Sequence, residues 1–290
     1  MMSAAGTALA QDLEPRAYAA SPIGANFVVV AGGRSAGDVL VDPSLPVEDV
    51  RATVNSIALG GGTTFAFFGR TALILAAFPY AWAEASGRVG ETTAGVSRSG
   101  LADPRAKFSV NLVGGLALTP AEFARAKRPT IVGVSVSALA PLGQYDRTKL
   151  VNLGTNRWAF KPEAGISHLI GDWTVEGSAG VWLFTANNEF YTGSSVRTQQ
   201  PVFAFQAHAS YTVKPRLWAS FDATWYSGGT TTVDGENKGD RQDNSRAGAT
   251  LSLPLWRQQS LKLAYSRGTT TRIGSDFSTF SAAWQLSWFN

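Results

Sequence analysis

The feature that most constrains this chain is a side-chain alternation of period two. It recurs in segment after segment, and the links between segments alternate between short and long. In 203–213, Phe203, Phe205, Ala207, Ala209, Tyr211 and Val213 share one side, while Gln206, His208, Ser210 and Thr212 share the other. In 217–226, Leu217, Phe221 and Trp225 oppose Ser220, Asp222 and Thr224; in 157–167, Trp158, Phe160 and Ile166 oppose Lys161, Glu163 and Ser167. Near Arg105, the residues Phe108, Val110 and Leu112 oppose Lys107, Ser109 and Asn111. Successive residues of a strand point to opposite faces, so each segment presents one apolar and one polar surface.

About twelve such strands are expected, each close to the length that crosses a bilayer at the usual tilt. They begin near Gly24, Asn55, Thr71, Arg105, Thr130, Arg157, Thr174, Val202, Leu217, Ser245, Leu261 and Phe277. Short links fall at 69–70, 170–172, 214–216 and 257–259. Long ones run over 34–54, 86–104, 142–156, 186–200, 228–244 and 270–276. Outer-membrane barrels combine short periplasmic turns with longer extracellular loops, so this rhythm places both termini in the periplasm. The reading is all-β: a closed antiparallel transmembrane β-barrel of about twelve strands, with a short periplasmic helix. Thr119-Pro120-Ala121-Glu122 marks that helix over 119–127, with an N-capping threonine, proline at the first helical position and glutamate at the third.

A soluble β-protein would show the same alternation with its faces exchanged. Strand length, link rhythm and the tryptophans gathered near strand ends (Trp158, Trp173, Trp218, Trp225, Trp256, Trp284 and Trp288) favour the membrane. Composition agrees. Only 16% of residues are charged, well under the roughly 25% of soluble domains. No run of apolar residues is long enough for a spanning helix. Scattered basic residues and a net charge of +4 argue against nucleic acid as a partner. The expected partners are outer-membrane lipid, a small-molecule solute and the outer-membrane assembly machinery, in a Gram-negative cell envelope. The last strand supports assembly through its alternating Phe280, Ala282, Trp284, Leu286 and Trp288, although the chain ends in Asn290 rather than an aromatic residue.

Ala8-Leu9-Ala10 before Gln11 matches the small-x-small cleavage site of a secretory signal. Residues 1–10 are therefore expected to be a signal-peptide remnant, and residues 11–290 the barrel.

Several blocks of residues resemble one family. They include Leu13-Glu14-Pro15-Arg16-Ala17-Tyr18, Pro22-Ile23-Gly24-Ala25-Asn26-Phe27 and Gly143-Gln144-Tyr145-Asp146. The most specific stretch is 149–163, from Lys149-Leu150-Val151-Asn152 to Phe160-Lys161-Pro162-Glu163. Phe184-Thr185-Ala186-Asn187, Gln206-Ala207-His208 and 244–251 follow the same pattern. Together they resemble the outer-membrane transporter family labelled meta-pathway of phenol degradation. The resemblance implies a barrel linked with aromatic-compound catabolism, and it carries no catalytic set.

The residues expected to line the lumen are Arg105, Lys107, Lys161, Glu163, Glu176, Gln206, His208, Asp222, Arg246 and Lys262. Charges inside a barrel can pair across strands into a plugging network, or line a pore and tune passage; both readings stay open at this point. No enzyme is expected. The two histidines are isolated from any nucleophile motif, and His208 faces the wet side rather than the lipid side. No cofactor or metal is expected either, since the chain has no cysteine and the acidic loop 228–244 lacks calcium-loop spacing. Twelve strands lie between barrels filled by side chains and open porins, so any passage is narrow and loops could occlude it. The expected function is passive passage of a small, aromatic or hydrophobic molecule across the outer membrane. The alternative is a structural or adhesive barrel that transports nothing.

Overall fold

The computed structural model describes residues 13–40, 48–127 and 130–289. The expected signal remnant lies outside them. The first strands are β1 (Ala25–Leu40), β2 (Glu48–Phe67), β3 (Arg70–Val89), β4 (Thr92–Leu101) and β5 (Arg105–Val113), followed by helix α1 (Pro120–Arg125). Next come β6 (Ile131–Leu139), β7 (Ala159–Ile170), β8 (Trp173–Phe184), β9 (Asn187–Phe190), β10 (Ser195–Gln199) and β11 (Val202–Lys214). The chain ends with β12 (Leu217–Gly228), β13 (Thr231–Val233), β14 (Glu236–Asn237), β15 (Gln242–Pro254), β16 (Gln259–Thr270) and β17 (Gly274–Phe289).

Twelve strand positions close into a ring in the order β1, β2, β3, β5, β6, β7, β8, β11, β12, β15, β16 and β17. The ring is sealed where β17 pairs with β1, from Ala25 opposite Phe289 to Leu40 opposite Gly274. Neighbouring strands are antiparallel throughout. Closure leaves no strand edge with unpaired amides facing hydrocarbon, the condition a sheet must meet to cross a membrane.

The alternation resolves into an inside-out protein. On β12, Phe221 is 74% exposed and its neighbour Asp222 is 4% exposed. On β11, Phe203 and Phe205 are exposed while Gln206 and His208 are buried. Aromatic pairs stud the outer wall, with Phe205 stacked on Trp225 at 5.4 Å and Trp173 against Tyr211 at 5.2 Å. The outer surface is thus apolar and aromatic and the interior polar and charged, which assigns the barrel to the Gram-negative outer membrane.

Turns at the periplasmic end are tight because the sequence supplies residues that accept a left-handed backbone. Phe68 and Gly69 both have positive φ between β2 and β3, the conformation that matches a two-residue hairpin to strand twist. At the other end the expected loops are shorter than their sequence suggests. β1 continues to Leu40 and β2 starts at Glu48, so strand pairing takes up most of the link expected over 34–54. β3 runs on to Val89 and folds back as β4, and β4 and β5 share one ring position, opposing different halves of β3. The links expected over 186–200 and 228–244 form a small four-stranded sheet of β9, β10, β13 and β14. Above the bilayer a strand needs no apolar face, so polar sequence continues the ladder where periodicity alone reads a loop. Helix α1 is shorter than expected and ends at Arg125; its capping box is formed, with Thr119 and Glu122 exchanging hydrogen bonds.

Candidate functional site in the barrel lumen

Of the ten residues expected to line the lumen, Lys107, Lys161, Glu163, Glu176, Gln206, His208, Asp222 and Arg246 are buried, Arg105 is half-buried and Lys262 is exposed. For five of them, Arg105, Lys107, Glu163, Glu176 and Gln206, the structure adds a partner that does not belong to the wall. Residues 13–23 run inside the barrel, and their side chains and backbone meet the wall charges.

Glu14 receives the Lys107 ammonium at 2.6 Å and lies 3.4 Å from the Arg105 guanidinium. Its own backbone amide donates to Gln206 Oε1. The Arg16 amide donates to the Glu176 carboxylate, and its guanidinium donates to Ser210 at 3.1 Å and Thr212 at 2.6 Å. That guanidinium also stacks over Trp218 at 4.4 Å. The Tyr18 hydroxyl donates to Glu163 at 3.0 Å and sits 3.0 Å from the Ser135 hydroxyl. The wall makes room for this ring with paired glycines. Gly133 and Gly165 are register partners on β6 and β7, and a β-carbon at either would fall within 2.6 Å of the Tyr18 ring.

The wall charges also pair with one another. Lys161 donates to Glu163 at 2.7 Å, and Lys107 lies 3.7 Å from the same carboxylate. His208 meets Asp222 Oδ1 at 2.8 Å through Nδ1 and Gln206 Oε1 at 3.2 Å through Nε2. Asp222 Oδ2 accepts from Ser220 and Thr250. Gln206 links the wall to the inner segment, its Oε1 accepting from the Glu14 amide and lying 3.2 Å from His208 Nε2. Arg246 bonds across the sheet to Ser266 and to the Phe277 carbonyl. A buried charge left alone costs several kcal/mol, so this interlock holds residues 13–23 firmly against β5 to β12.

The described residues leave the opposite half of the lumen open. A cavity of ≈ 330 Å³ lies between residues 13–15 and the walls of β1, β2, β15, β16 and β17. Its surface is built from small residues such as Ala31, Gly33, Ala58 and Ala264, with Arg105, Arg246 and Lys262 projecting into it.

The extracellular mouth is narrowed by the link between β6 and β7. Leu153 is buried against Val39, Val54, Ala83 and Phe277, residues of β1, β2, β3 and β17 on the far side of the ring. The link is pinned by Asp103, which accepts from the amides of Gly143 and Thr155 and from the Thr155 hydroxyl at 2.6 Å. The Arg98 guanidinium donates to the Val151 carbonyl at 3.0 Å. Beside it, Asp146 is held down to about pKa 2 by the Thr148 hydroxyl and backbone amide and by Lys149.

Sequence reasoning missed Glu14, Arg16 and Tyr18 as members of the site, and it missed that Trp182 and Trp218 face inward. A signal for Tyr18 was present in the inward glycines on adjacent strands. For Trp218 it was parity, since Phe221 faces lipid and Trp218 stands three residues away.

Known proteins fit this architecture. Residues 31–284 match the family model described as "Putative MetA-pathway of phenol degradation". The COG4313 outer membrane channel from Pseudomonas putida F1 superposes with a TM-score of 0.80 at 22% identity, covering 96% of this chain and 100% of that one. The transport unit of the autotransporter AIDA-I from Escherichia coli gives a TM-score of 0.51 at 12% identity, with 99% and 95% covered. The beta domain of the Bordetella autotransporter BrkA gives 0.52 at 13% identity, with 92% and 100% covered. At these identities the likeness is one of fold. No curated protein matches the sequence.

Proposed function

The chain belongs to the phenol-degradation family whose model it matches, and from that premise we propose that its barrel gives passive passage to a small solute with an aromatic or apolar body. The observation that carries this reading is the cavity of ≈ 330 Å³ left beside the inner segment. It is large enough for a single-ring compound, and most of its wall consists of small side chains and glycine. A barrel serving only as a scaffold has no need of such a space, because about eight strands already close around an interior that side chains fill.

In this reading the ten wall residues divide into two groups. Lys107, Lys161, Glu163, Glu176, Gln206, His208 and Asp222 anchor the inner segment or one another. Arg105, Arg246 and Lys262 face the solute. The inner segment and the Leu153 link restrict the bore at two levels, so the route admits one small molecule at a time and passes little ionic current.

The test is vesicle uptake. Liposomes carrying the purified full-length protein should admit benzyl alcohol or phenol faster than vesicles carrying a closed eight-stranded barrel, while excluding disaccharides. Equal rates in the two kinds of vesicle would remove the transport reading and favour a structural barrel.

A further inference from the structure

Cations inside this barrel are nearly all engaged. Lys107 and Lys161 lie against carboxylates, and Arg16 and Arg246 bond to hydroxyl and carbonyl oxygens. Lys262 differs. Its side chain points inward on β16, two residues before the cavity-lining Ala264, yet it remains exposed, because it reaches into the open half of the lumen. Among the described residues its ammonium has no hydrogen-bond acceptor and no ion-pair partner. Its one ring contact is the face of Trp218 at 5.6 Å.

Among the described residues, the charged groups around Lys262 are Glu14, Arg16 and Asp222. None of them neutralises it. Glu14 is held by Lys107 and Arg105. Asp222 lies 2.8 Å from His208 Nδ1 and accepts from Ser220 and Thr250. Arg16 carries the same sign. Among the described residues, three cations (Arg105, Arg246 and Lys262) and a single carboxylate (Glu14) thus line the cavity. The rest of its wall is small or apolar, including Val54, Ala81 and Phe277. Such a space, in which the Lys262 ammonium has no acceptor among the described residues and most of the surround is apolar, suits an anionic head on a compact apolar body.

We propose that the open half of the lumen is a binding site for small organic carboxylates, with Lys262 holding the carboxylate and the β1–β2 wall receiving the apolar body. This rests on the reading of the barrel as a solute route, and it names that solute's class as the acid rather than the neutral aromatic. A neutral compound of the same shape leaves Lys262 without its counter-charge; a cation of the same shape meets three like charges.

Benzoate, benzamide and benzamidine share one shape and carry charges of opposite sign or none. Calorimetric titration of the full-length protein in detergent should give benzoate an affinity about tenfold or more above benzamide, as expected for a hydrogen bond to a charged group, with benzamidine weakest. Lys262→Met should remove the preference and Lys262→Arg should keep it. Heat-modifiable migration on gels verifies that both variants are folded barrels. Equal affinity for benzoate and benzamide, or an undiminished preference in Lys262→Met, overturns the site. Vesicle uptake is scored separately. Entry of benzamide without any binding preference overturns the carboxylate site alone, whereas tight benzoate binding with no entry of any of the three supports the site and overturns the route.

Discussion

The ring of Tyr18 occupies the space that a side chain on Gly165 would need: a β-carbon built there falls 2.2 Å from Tyr18 Cε2. One residue belongs to the inner segment and the other to strand β7, so the glycine is a socket in the wall. Gly165 lies within the regular β6–β7 ladder, and the three atoms nearest to such a β-carbon all belong to the Tyr18 ring. Gly165→Val should therefore leave the barrel intact and expel Tyr18, raising small-solute entry into vesicles several-fold. Unchanged entry with the barrel folded would mean that the inner segment does not limit passage.

The Glu163 carboxylate accepts from Lys161 and Tyr18 and faces Lys107. Glu163→Gln keeps the shape but leaves the buried Lys161 ammonium without its carboxylate and Lys107 with Glu14 alone. Breaking such a buried pair costs about 3 kcal/mol. Urea titration of the barrel in lipid vesicles should show a loss of that order. A midpoint shift near zero would place these lysines in contact with bulk water instead.

On the outer wall the sign of the argument reverses. Phe221 stands on the lipid face of β12, and arginine near the middle of a barrel's lipid face costs about 2–4 kcal/mol. Phe221→Arg should lower folding stability in bilayers by that amount. A neutral result would contradict the assignment of lipid to this face.

At the mouth, Leu153 fills a pocket formed by four strands across the ring from its own link. Leu153→Ala should loosen the link, seen as a larger single-channel step or faster uptake of solutes too bulky for the parent protein. No change in either would relocate the narrowest point to the inner segment.

Acid should act on the same link. Asp146 sits well below its ordinary value, at about 2, because hydrogen bonds from Thr148 and Lys149 favour the carboxylate. A depressed carboxylate contributes stability that is complete above its unfolded value, near 4, and is lost as pH falls through the folded value. Pepsin cleavage within 145–150 should accelerate between about pH 4 and pH 2, and Asp146→Asn should show the faster rate already at pH 4. A rate independent of pH in the parent protein would discard this switch.

What the sequence made legible follows from where the physics is local. Phe203 against Gln206 and Phe221 against Asp222 reveal the wall and its two faces, because a strand exposed to lipid on one side cannot hide its period. Ser35, Gly37 and Asp38 read as a loop, yet they are paired strand; beyond the membrane no solvent preference marks the strand, and only the partner's register does. Glu14, Arg16 and Tyr18 precede the first strand and carry no periodicity at all. Their place in the lumen depends on contacts 93 to 196 residues away in sequence, which local pattern does not encode. The ten candidates were readable from alternation as members of the polar faces. Which of them bond to the inner segment, and that Lys262 has no partner among the described residues, was not, since it is decided by what residues 13–23 cover.

The seam between β1 and β17 has a consequence for the order of events during biogenesis. The first strand can meet the last only after everything between them has been made, and the stretch that ends up enclosed lies directly upstream of that first strand. Residues 13–23 must either be tucked in while the cylinder still gapes or be threaded afterwards through an end already crowded by α1 and the tight turns. Closure and filling are thereby coupled, and a chain that seals with its leader outside would be trapped hollow.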